Sequence, residues 1–463
     1  MRYVSTRGNA PTLNFAEVTL TGLASDGGLY VPESWPRFSP SEITALRGLP
    51  YAELAARVMQ PFVGDSIAPS RLNELTHQAY ARFAHGAVTP LVQLDERLWL
   101  LELFHGPTLA FKDIALQLLG LLFEEFLDRD EGTLTIVGAT SGDTGSAAID
   151  AVAGRDNVEI FMLHPAGRIS DVQRVQMTTV LAPNVHNIAI EGSFDDAQAM
   201  VKRLFADPEV TGRHRLGAVN SINWARLAAQ VVYYFSAALQ LGSPDRPVAF
   251  AVPTGNFGDV FAGYVAAQMG LPIETLVVAT NVNDILHRAL SSGEYAQGSV
   301  TPTASPSMDI QVSSNFERLL FDVGGRDGAA LGEQMARFEA ERRMELSPRQ
   351  RSGTAERLVS VRADADETSL AIRRAYEQSG MLVDPHTAVA LHAARQVPTR
   401  AGTPMVALAT AHPAKFRDPV ERATGIRPSL PPRVGDLFAR EERCVRLPGD
   451  YEAVRDHILA HAG

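Results

Sequence analysis

The chain has 463 residues, of which 45% are hydrophobic and 21% charged, and its formal net charge is −11. These values fit a globular protein with a substantial core and exclude collagen-like, coiled-coil and intrinsically disordered chains. The acidic balance disfavours nucleic acid as the main partner, and a single cysteine, Cys444, excludes an intrachain disulfide framework. No secretory signal is visible, and the most apolar run, residues 114–123, is too short to span a bilayer. The sequence therefore predicts a cytoplasmic protein that binds neither nucleic acid nor membrane and, since its histidines lack metal-ligand spacing, no metal.

The predicted elements divide the chain into three regions. Residues 1–90 combine turn signals with helical patterns and are expected to form a mostly helical N-terminal region. In residues 91–428 short β-branched segments alternate with helices, which is typical of α/β layers with mainly parallel sheets. Residues 429–463 are expected to form a C-terminal tail. The expected strands span residues 134–137, 158–163, 185–190, 248–252, 273–279 and 405–409. The expected helices span residues 51–59, 70–83, 114–123, 146–152, 195–205, 259–269 and 451–461, with a loop at 293–308 and a charged, helical or irregular segment at 341–366.

Lysine occurs at only three positions, so a reaction that needs a nucleophilic amine has three candidates. Lys112 follows a strand-like stretch and precedes the buried helix, which Asp113 can cap. Partial desolvation there would lower the pKa of the amine and favour imine chemistry. The alternative is a lysine that snorkels from the helix end or pairs with Asp113. Lys202 is expected on a solvated helix face, and the neighbours of Lys415 suggest an exposed turn.

Two strand-to-helix loops have the features of anion sites. Residues 138–145, Gly-Ala-Thr-Ser-Gly-Asp-Thr-Gly, place small hydroxyl side chains and backbone N–H groups at a helix N-terminus, although a plain tight turn explains them about equally well. Residues 253–259, Pro-Thr-Gly-Asn-Phe-Gly-Asp, offer two glycines that let the backbone approach a phosphate. Asp259 is expected to cap the following helix with its charge turned away. Together with Lys112, the two loops favour a phosphorylated carbonyl cofactor held through an imine, pyridoxal phosphate.

At these residues the sequence resembles the threonine synthases, within the fold-type II pyridoxal-phosphate enzymes. The resemblance is carried by residues 105–113, His-Gly-Pro-Thr-Leu-Ala-Phe-Lys-Asp, and by the strings at 3–8 and 26–32, and it extends to about residue 425. It is to the longer, enteric-bacterial and yeast-like type. The resemblance implies a fold similar to the tryptophan synthase β subunit: two open α/β subdomains with mainly parallel sheets and the active site between them, plus the N-terminal region.

The resemblance implies roles for residues that would hold the cofactor. Lys112 would form the imine with pyridoxal phosphate and act as the catalytic base. Thr410, within residues 409–416, would bond the pyridine nitrogen. Asp143 would lie near the cofactor 3′-oxygen, where a carboxylate would need a shared proton. The cofactor phosphate would be held by the backbone N–H groups of Gly255, Asn256, Phe257 and Gly258.

Substrate contacts are implied in the same way. The loop containing Thr140, Ser141 and Thr144 would bind the substrate carboxylate. Residues 220–226 resemble the stretch that binds the substrate phosphate, through Asn220, Ser221 and Arg226. Helical spacing from Ser221 to Arg226 would bring a hydroxyl and a guanidinium to one pocket, and arginine suits bidentate phosphate recognition. Residues 384–387, Asp-Pro-His-Thr, also match a family segment, without an assigned role.

The activity implied is conversion of O-phospho-L-homoserine and water to L-threonine and phosphate, the last step of threonine biosynthesis, by a monomer or homodimer. Two alternatives stay open. A threonine-synthase-like phospholyase would use the same cofactor and loops to give a 2-oxo acid, ammonia and phosphate, and sequence pattern separates it poorly. A catalytically silent binding protein would keep the fold alone, but Lys112 and both anion loops disfavour it.

Overall fold

The strands lie mainly in two parallel sheets in the computed structural model, which describes residues 1–130 and 132–462, apart from the side chain of Asp130. The described strands are β1 (Tyr3–Ser5), β2 (Tyr30–Pro32), β3 (Leu91–Gln93), β4 (Leu98–Glu102), β5 (Leu134–Ala139), β6 (Val158–Pro165), β7 (Val185–Ile190), β8 (Leu216–Gly217), β9 (Val248–Pro253), β10 (Ile273–Thr280), β11 (Glu294–Ala296), β12 (Arg343–Glu345), β13 (Leu358–Arg362), β14 (Met405–Ala409) and β15 (Val445–Leu447).

Helices surround these sheets and also supply most of the regular secondary structure of the N-terminal region. The described helices are α1 (Phe15–Thr21), α2 (Pro40–Ala45), α3 (Tyr51–Val63), α4 (Pro69–Tyr80), α5 (Lys112–Asp130), α6 (Asp143–Val152), α7 (Asp171–Thr178), α8 (Phe194–Ala206), α9 (Pro208–Thr211), α10 (Trp224–Gln240), α11 (Gly258–Gln268), α12 (Ile285–Ser292), α13 (Phe316–Val323), α14 (Gly328–Glu341), α15 (Pro348–Ala355), α16 (Ala365–Ser379), α17 (Pro385–Gln396), α18 (Arg417–Thr424) and α19 (Tyr451–His461).

The larger sheet has the strand order β13-β10-β9-β14-β4-β3, and its neighbouring strands are parallel except for the antiparallel pair β3–β4. Its central strand β9 is buried along its whole length. Phe250 and Val252 point into the core shared with α10 and α11, whereas Ala249 and Ala251 point into the core shared with α17. Successive side chains of a strand face opposite ways, so a strand covered by helices on both faces is apolar throughout.

The smaller sheet has the order β15-β7-β6-β5-β8, and all its pairs are parallel. The C-terminal segment belongs to this sheet, since β15 pairs with β7 at the edge. Helix α19 follows and places Tyr451, Val454 and Ile458 in the same apolar cluster as Phe161 and Ile188 of the sheet. Residues near the end of the chain therefore complete one face and one edge of this sheet.

Most predicted elements are confirmed to within a few residues, and the α/β class with two mainly parallel sheets is confirmed. The helix predicted at 114–123 is longer, since α5 spans Lys112–Asp130, and α10 and α17 were not predicted. Further differences lie in the segments predicted as irregular. Residues 293–308 contain β11, which pairs with β12, and residues 341–366 contain the edge strand β13. The sequence of β13, Leu-Val-Ser-Val-Arg, is only partly buried, so its short pattern is easily hidden by the charged residues around it.

Parallel topology brings several loops to one place. In the larger sheet β9, β14 and β4 are neighbours, so the segments that follow their carboxyl ends lie side by side. These segments lead to the 254–257 loop, to Thr410 and to Lys112. The loop after β5 of the smaller sheet leads into α6. Ligands of open α/β sheets bind outside the carboxyl ends of the strands, so the active site is expected in this region.

Candidate active site

Lys112 is the first residue of α5 and is fixed against the end of β14. The Phe111 N–H donates to the Thr410 carbonyl at 2.8 Å, and the His412 N–H donates to the Leu109 carbonyl at 3.0 Å. Leu109 holds a left-handed backbone conformation with φ of 64°. A left-handed non-glycine residue is sparsely populated and persists where its surroundings hold it. The two backbone bonds supply that constraint and set the direction in which Lys112 leaves the sheet.

Asp113 does not cap α5, so that prediction was wrong. Its buried carboxylate accepts hydrogen bonds from the Thr108 N–H at 2.8 Å and from the Thr108 hydroxyl at 2.6 Å. Burial raises the pKa of Asp113 to about 6, although the bonds from Thr108 oppose the shift. Asp113 is already inside the helix, so its side chain folds back and fixes the loop that precedes Lys112 instead of the helix end.

The Lys112 amine contacts Asp143, the first residue of α6, rather than Asp113. The distance from Lys112 Nζ to Asp143 Oδ2 is 3.4 Å. The other oxygen, Asp143 Oδ1, accepts from Lys415 Nζ at 2.8 Å and from Gln173 Nε2 at 2.8 Å. The exposed turn expected for Lys415 was wrong, because its side chain is fully buried. Sequence reasoning missed Lys415 and Gln173 because α7 and the turn after β14 reach Asp143 only in three dimensions.

The charges of this cluster act against one another. Burial lowers the pKa of the Lys112 amine, Asp143 opposes this, and Arg226 and Lys415 lower the pKa further. Burial alone would favour the neutral form of Asp143, but Lys415 and Lys112 outweigh it and hold the carboxyl pKa well below its ordinary range. The predicted decrease in the pKa of Lys112 is confirmed. Asp143 is an anion shared between two lysines.

The 255–258 segment follows β9, which lies next to β14 in the larger sheet, and it leaves backbone donors free. Its carbonyl groups are held from outside: the Ser313 hydroxyl donates to the Gly255 carbonyl at 2.7 Å, and the Asn315 N–H donates to the Asn256 carbonyl at 3.1 Å. Within residues 1–130 and 132–462, the N–H groups of Gly255, Asn256 and Phe257 donate to no protein acceptor. Phe257 precedes α11 in a left-handed conformation, φ 64°, and provides no side-chain cap. Free N–H groups at a helix N-terminus suit a phosphate.

The loop between β5 and α6 combines a shaping residue with free hydroxyls. The Thr140 hydroxyl oxygen accepts from the Gly142 N–H at 2.9 Å and from the Gly145 N–H at 2.8 Å. Gly142 has φ of 133°, and a Cβ there would lie 2.4 Å from the Gln173 side chain, so glycine is required. No described residue is bonded to the hydroxyls of Ser141 and Thr144. Thr140 therefore sets the shape of the loop, and the other two hydroxyls are available to a ligand.

Residues 220–226 lie partly outside α10, which begins at Trp224, so the helical spacing predicted from Ser221 was wrong. Asn220 is exposed, and its side chain accepts from the Ile222 N–H. Arg226 is buried, donates to the Val219 carbonyl at 3.0 Å, and has no partner for Nε among the described residues. Burial lowers the pKa of Arg226 to about 10 while Tyr233 and Asp259 oppose the shift, so the guanidinium stays charged at neutral pH.

Thr410 and Asp259 complete the set of residues predicted from the sequence. Thr410 is buried at the end of β14, and its hydroxyl donates to none of the described residues. Asp259 was expected to cap α11, and this was wrong: its carboxylate accepts from the hydroxyls of Tyr233 and Tyr234 on α10. Asp259 Oδ2 is buried without a partner in the described chain. Burial raises the pKa of Asp259 to about 6 against those tyrosine bonds.

The Asp384-Pro-His-Thr segment forms the start of α17 and supports the 255–258 loop from behind. Asp384 Oδ1 bonds His386 Nδ1 at 2.7 Å, so His386 Nε2 can accept the Ser307 N–H at 3.3 Å. The Ser307 carbonyl lies against Gly255, where an added Cβ would approach it to 2.6 Å. A carboxylate that fixes an imidazole tautomer is a common way to orient the second ring nitrogen. His386 thus connects α17 to the loop.

Removing the His386 imidazole is expected to weaken cofactor retention. In His386→Ala the Ser307 N–H loses its acceptor, which costs about 1 kcal/mol and predicts a roughly fivefold higher Kd for pyridoxal phosphate. Fluorescence titration of the cofactor-free chain measures this value. Thr387→Val is the matched control, since the Thr387 hydroxyl also bonds Asp384 but does not contact Ser307. Equal losses in both variants, or none in His386→Ala, contradict the expectation.

These residues fit pyridoxal phosphate. An aldehyde reacts with a neutral amine, which burial favours at Lys112, and a phosphate needs the N–H donors that Gly255, Asn256 and Phe257 leave free. No group of three or more His, Cys, Asp or Glu in the described ranges is arranged to hold a metal ion. The fold and the site define a pyridoxal-phosphate-dependent enzyme of fold type II.

Comparisons with known proteins agree with this class and narrow it. Residues 83–345 match the family model of pyridoxal-phosphate-dependent enzymes, residues 2–80 that of the threonine synthase N terminus, and residues 387–458 that of the threonine synthase C-terminal part. The chain belongs to the threonine synthase family.

Similar proteins match over their full length. The threonine synthase of Pseudomonas aeruginosa is 56% identical over 463 residues, covering 100% of this chain and 98% of that protein. The structure of the pyridoxal-phosphate-bound threonine synthase from Brucella melitensis has a TM-score of 0.97 and 51% identity, covering 100% and 99% of the two chains. The yeast threonine synthase structure has a TM-score of 0.94 and 40% identity, covering 99% and 98%. The predicted family, fold class, cofactor and threonine synthase function are confirmed.

Proposed function

We propose that the chain converts O-phospho-L-homoserine and water to L-threonine and phosphate, with Lys112 as the catalytic lysine. The observation that carries the proposal is a buried amine of lowered pKa in contact with Asp143, in a chain of the threonine synthase family. Pyridoxal phosphate, when bound, supplies an aldehyde that condenses with amines and a conjugated ring that accepts electrons from the substrate. The remaining chemistry is assigned to side chains and backbone groups of this chain.

The residues that hold the cofactor surround Lys112. The free N–H groups of the 255–258 loop and the N-terminus of α11 would bind its phosphate, and the Thr410 hydroxyl would bond the pyridine nitrogen. Asp143 lies beside the Lys112 amine and is assigned to the cofactor 3′-oxygen. The unpartnered N–H donors at the start of α11 and the unpartnered Thr410 hydroxyl support these assignments, because they are left available to a ligand.

Lys112 acts on the substrate as a proton carrier. As a neutral amine it removes the proton at the α-carbon and passes that proton to the departing phosphate group, which restores the neutral amine. It then removes a proton at the β-carbon as phosphate leaves from the γ-carbon. Water adds at the β-carbon, and protons return to the γ- and α-carbons. The carboxylate of the substrate is bound by the loop of Thr140, Ser141 and Thr144, and the Thr140 side chain sets the shape of that loop. The substrate phosphate is bound by Asn220, Ser221 and Arg226, of which Arg226 supplies the charge.

Product identification tests the proposal directly. The purified chain is incubated with pyridoxal phosphate and O-phospho-L-homoserine, the carbon product is identified by NMR, and phosphate is assayed in parallel. L-Threonine formed in step with phosphate supports the proposal. Phosphate with 2-oxobutanoate and ammonia in place of threonine identifies the phospholyase, in which the β-carbon does not receive water. Cofactor binding without phosphate release contradicts both activities.

Replacing Arg226 by alanine is expected to weaken substrate capture more than cofactor binding. Loss of a charge-assisted contact to phosphate costs about 2 to 3 kcal/mol, which predicts a KM raised roughly 30-fold to 150-fold. The Kd for pyridoxal phosphate should change less than about threefold. Steady-state kinetics and cofactor titration on the same preparation measure the two effects. Equal changes in both constants, or none in KM, contradict the assignment of Arg226 to the substrate phosphate.

Across the described residues, the helices include none that is both long and apolar enough to cross a membrane. A cytoplasmic location and a monomeric or homodimeric state stay predictions. Gel filtration with light scattering measures the second.

A further inference from the structure

Lys415 is a buried cation without a place in the proposed reaction. It lies in the short turn after β14, and its side chain is fully buried. Its Nζ atom donates to Asp143 Oδ1 at 2.8 Å and to the Thr108 carbonyl at 2.8 Å. Burying an ammonium group is costly unless it is paired, so a lysine at this position needs a specific partner. Asp143 is that partner.

Asp143 stands between two lysines but contacts them unequally. Lys415 is at 2.8 Å and Lys112 at 3.4 Å, and each addresses a different carboxylate oxygen. Gln173 donates to the oxygen that Lys415 contacts and thereby holds the carboxylate in one orientation. The charge of Asp143 is thus balanced by Lys415 at the shorter distance. Lys112 is left at the looser contact, which is what an amine that must lose its proton requires.

We propose that Lys415 is a positioning residue that neutralises and orients the Asp143 carboxylate, so that the Lys112 amine is left free to form its bond to pyridoxal phosphate. The proposal rests on the proposed function only in taking Lys112 as the lysine that binds the cofactor. It assigns Lys415 no contact with substrate. In this arrangement the pair of Asp143 and Lys415 acts as one neutral unit beside the reactive amine.

The charges that act on Lys112 come from several elements. Asp143 of α6 favours the ammonium form, Arg226 of α10 and Lys415 disfavour it, and Asp259 of α11 is an acid in the same neighbourhood. Removing Lys415 deletes a cation near Lys112 and also leaves Asp143 with Lys112 as its nearest cation. Both changes raise the pKa of Lys112. Each unit of increase lowers the fraction of neutral amine about tenfold at a pH below the pKa.

The alternative is a purely structural role, in which Lys415 stabilises the turn after β14 through its hydrogen bond to the Thr108 carbonyl. That role predicts a less stable protein with an unchanged pH dependence at Lys112. The two roles separate in a double-mutant cycle, because replacing both members of the pair by uncharged residues restores neutrality without restoring the bond to Thr108.

The test compares the full-length, cofactor-free wild type with Lys415→Met, Asp143→Asn, the double variant and Lys415→Arg. Imine formation with pyridoxal phosphate is followed by absorbance from pH 6 to 10. Borohydride reduction and peptide mass spectrometry then identify which of the three lysines carries the cofactor. In Lys415→Met the pH midpoint is expected to rise by about one unit or more, with roughly tenfold slower capture at pH 7. Lys415→Arg keeps the charge and should retain the wild-type midpoint within about half a unit.

Asp143→Asn and the double variant test the charge balance most directly. Asp143→Asn removes the anion beside Lys112 and should lower the midpoint, and the double variant should return it to within about half a unit of the wild type. If Lys415→Met does not fold, Asp143→Asn and the double variant still decide the question. An unchanged midpoint in Lys415→Met, or a double variant that keeps the Lys415→Met shift, overturns the proposal. If the pH midpoint rises as expected in Lys415→Met but the wild type forms no threonine, the proposed reaction alone is rejected. If the wild type forms threonine but the midpoint does not rise in Lys415→Met, the role of Lys415 alone is rejected.

Discussion

Replacing Lys112 by alanine is expected to abolish the covalent cofactor link and to reduce threonine formation by about 10³-fold or more. The amine is held at the start of α5 by the backbone bonds between residues 109–111 and 410–412, so no nearby side chain replaces it. Lys415 does not substitute, because both of its observed hydrogen bonds commit it to Asp143 and Thr108. The absorbance of the imine, mass after borohydride reduction and turnover measure the three consequences.

Lys202→Ala is the matched control for this change. Lys202 lies on an exposed part of α8, as predicted from the sequence, and its removal should leave both cofactor binding and turnover unchanged within about twofold. A Lys112→Ala protein that still forms threonine at a near-normal rate would show that the catalytic lysine has been misassigned.

The second large effect is expected for Gly255→Ala. A Cβ at this position would lie 2.6 Å from the Ser307 carbonyl oxygen and 3.3 Å from the Met308 Cα, and both are backbone atoms that cannot rotate away. The 255–258 loop must therefore move, at a cost of about 1 to 3 kcal/mol, which displaces its free N–H groups. We expect the Kd for pyridoxal phosphate to rise roughly fivefold to 150-fold, measured by fluorescence titration.

Gly86→Ala is the control, since Gly86 is exposed and a Cβ there would meet no atom within 4 Å. It should leave the Kd unchanged. A Gly255→Ala protein with wild-type cofactor affinity would mean that the loop does not hold the phosphate. Thermal unfolding of both variants without cofactor separates a local change in the loop from a general loss of stability.

The fold was predictable where hydrophobic periodicity and turn residues coincide. The buried strand at 248–253 and the helix from 258 are marked by a continuous apolar run followed by two glycines, and both were predicted within about one residue. Strand β13 was not predicted, because an edge strand is only half-covered and its alternation is short. Elements that depend on burial from both faces leave a stronger pattern than elements at a sheet edge.

The sequence predicted the loops of the site, but it predicted the partners of the charged side chains less well. Lys112 and the two strand-to-helix loops are local features, and the sequence placed all three in one site. The partners of Asp143 and Asp259 come from residues distant along the chain or on another helix, so their roles could not be inferred from neighbours. The partner of Asp113 is local, because Thr108 lies in the loop just before α5, but the direction in which the carboxylate folds back is not visible in the sequence. Lys415 is the clearest case: adjacent arginine and aspartate residues suggested solvent, whereas tertiary packing places the amine next to Asp143.

The position of β15 also matters for how the chain can be shortened. This strand covers the edge of the smaller sheet beside β7, and α19 covers part of its apolar face. A chain ending before residue 445 would expose the backbone donors and acceptors of β7 together with the side chains that Val454 and Ile458 now shield. Such an edge is a template for pairing with other chains, so truncation here would favour aggregation even though the catalytic lysine and both loops were retained.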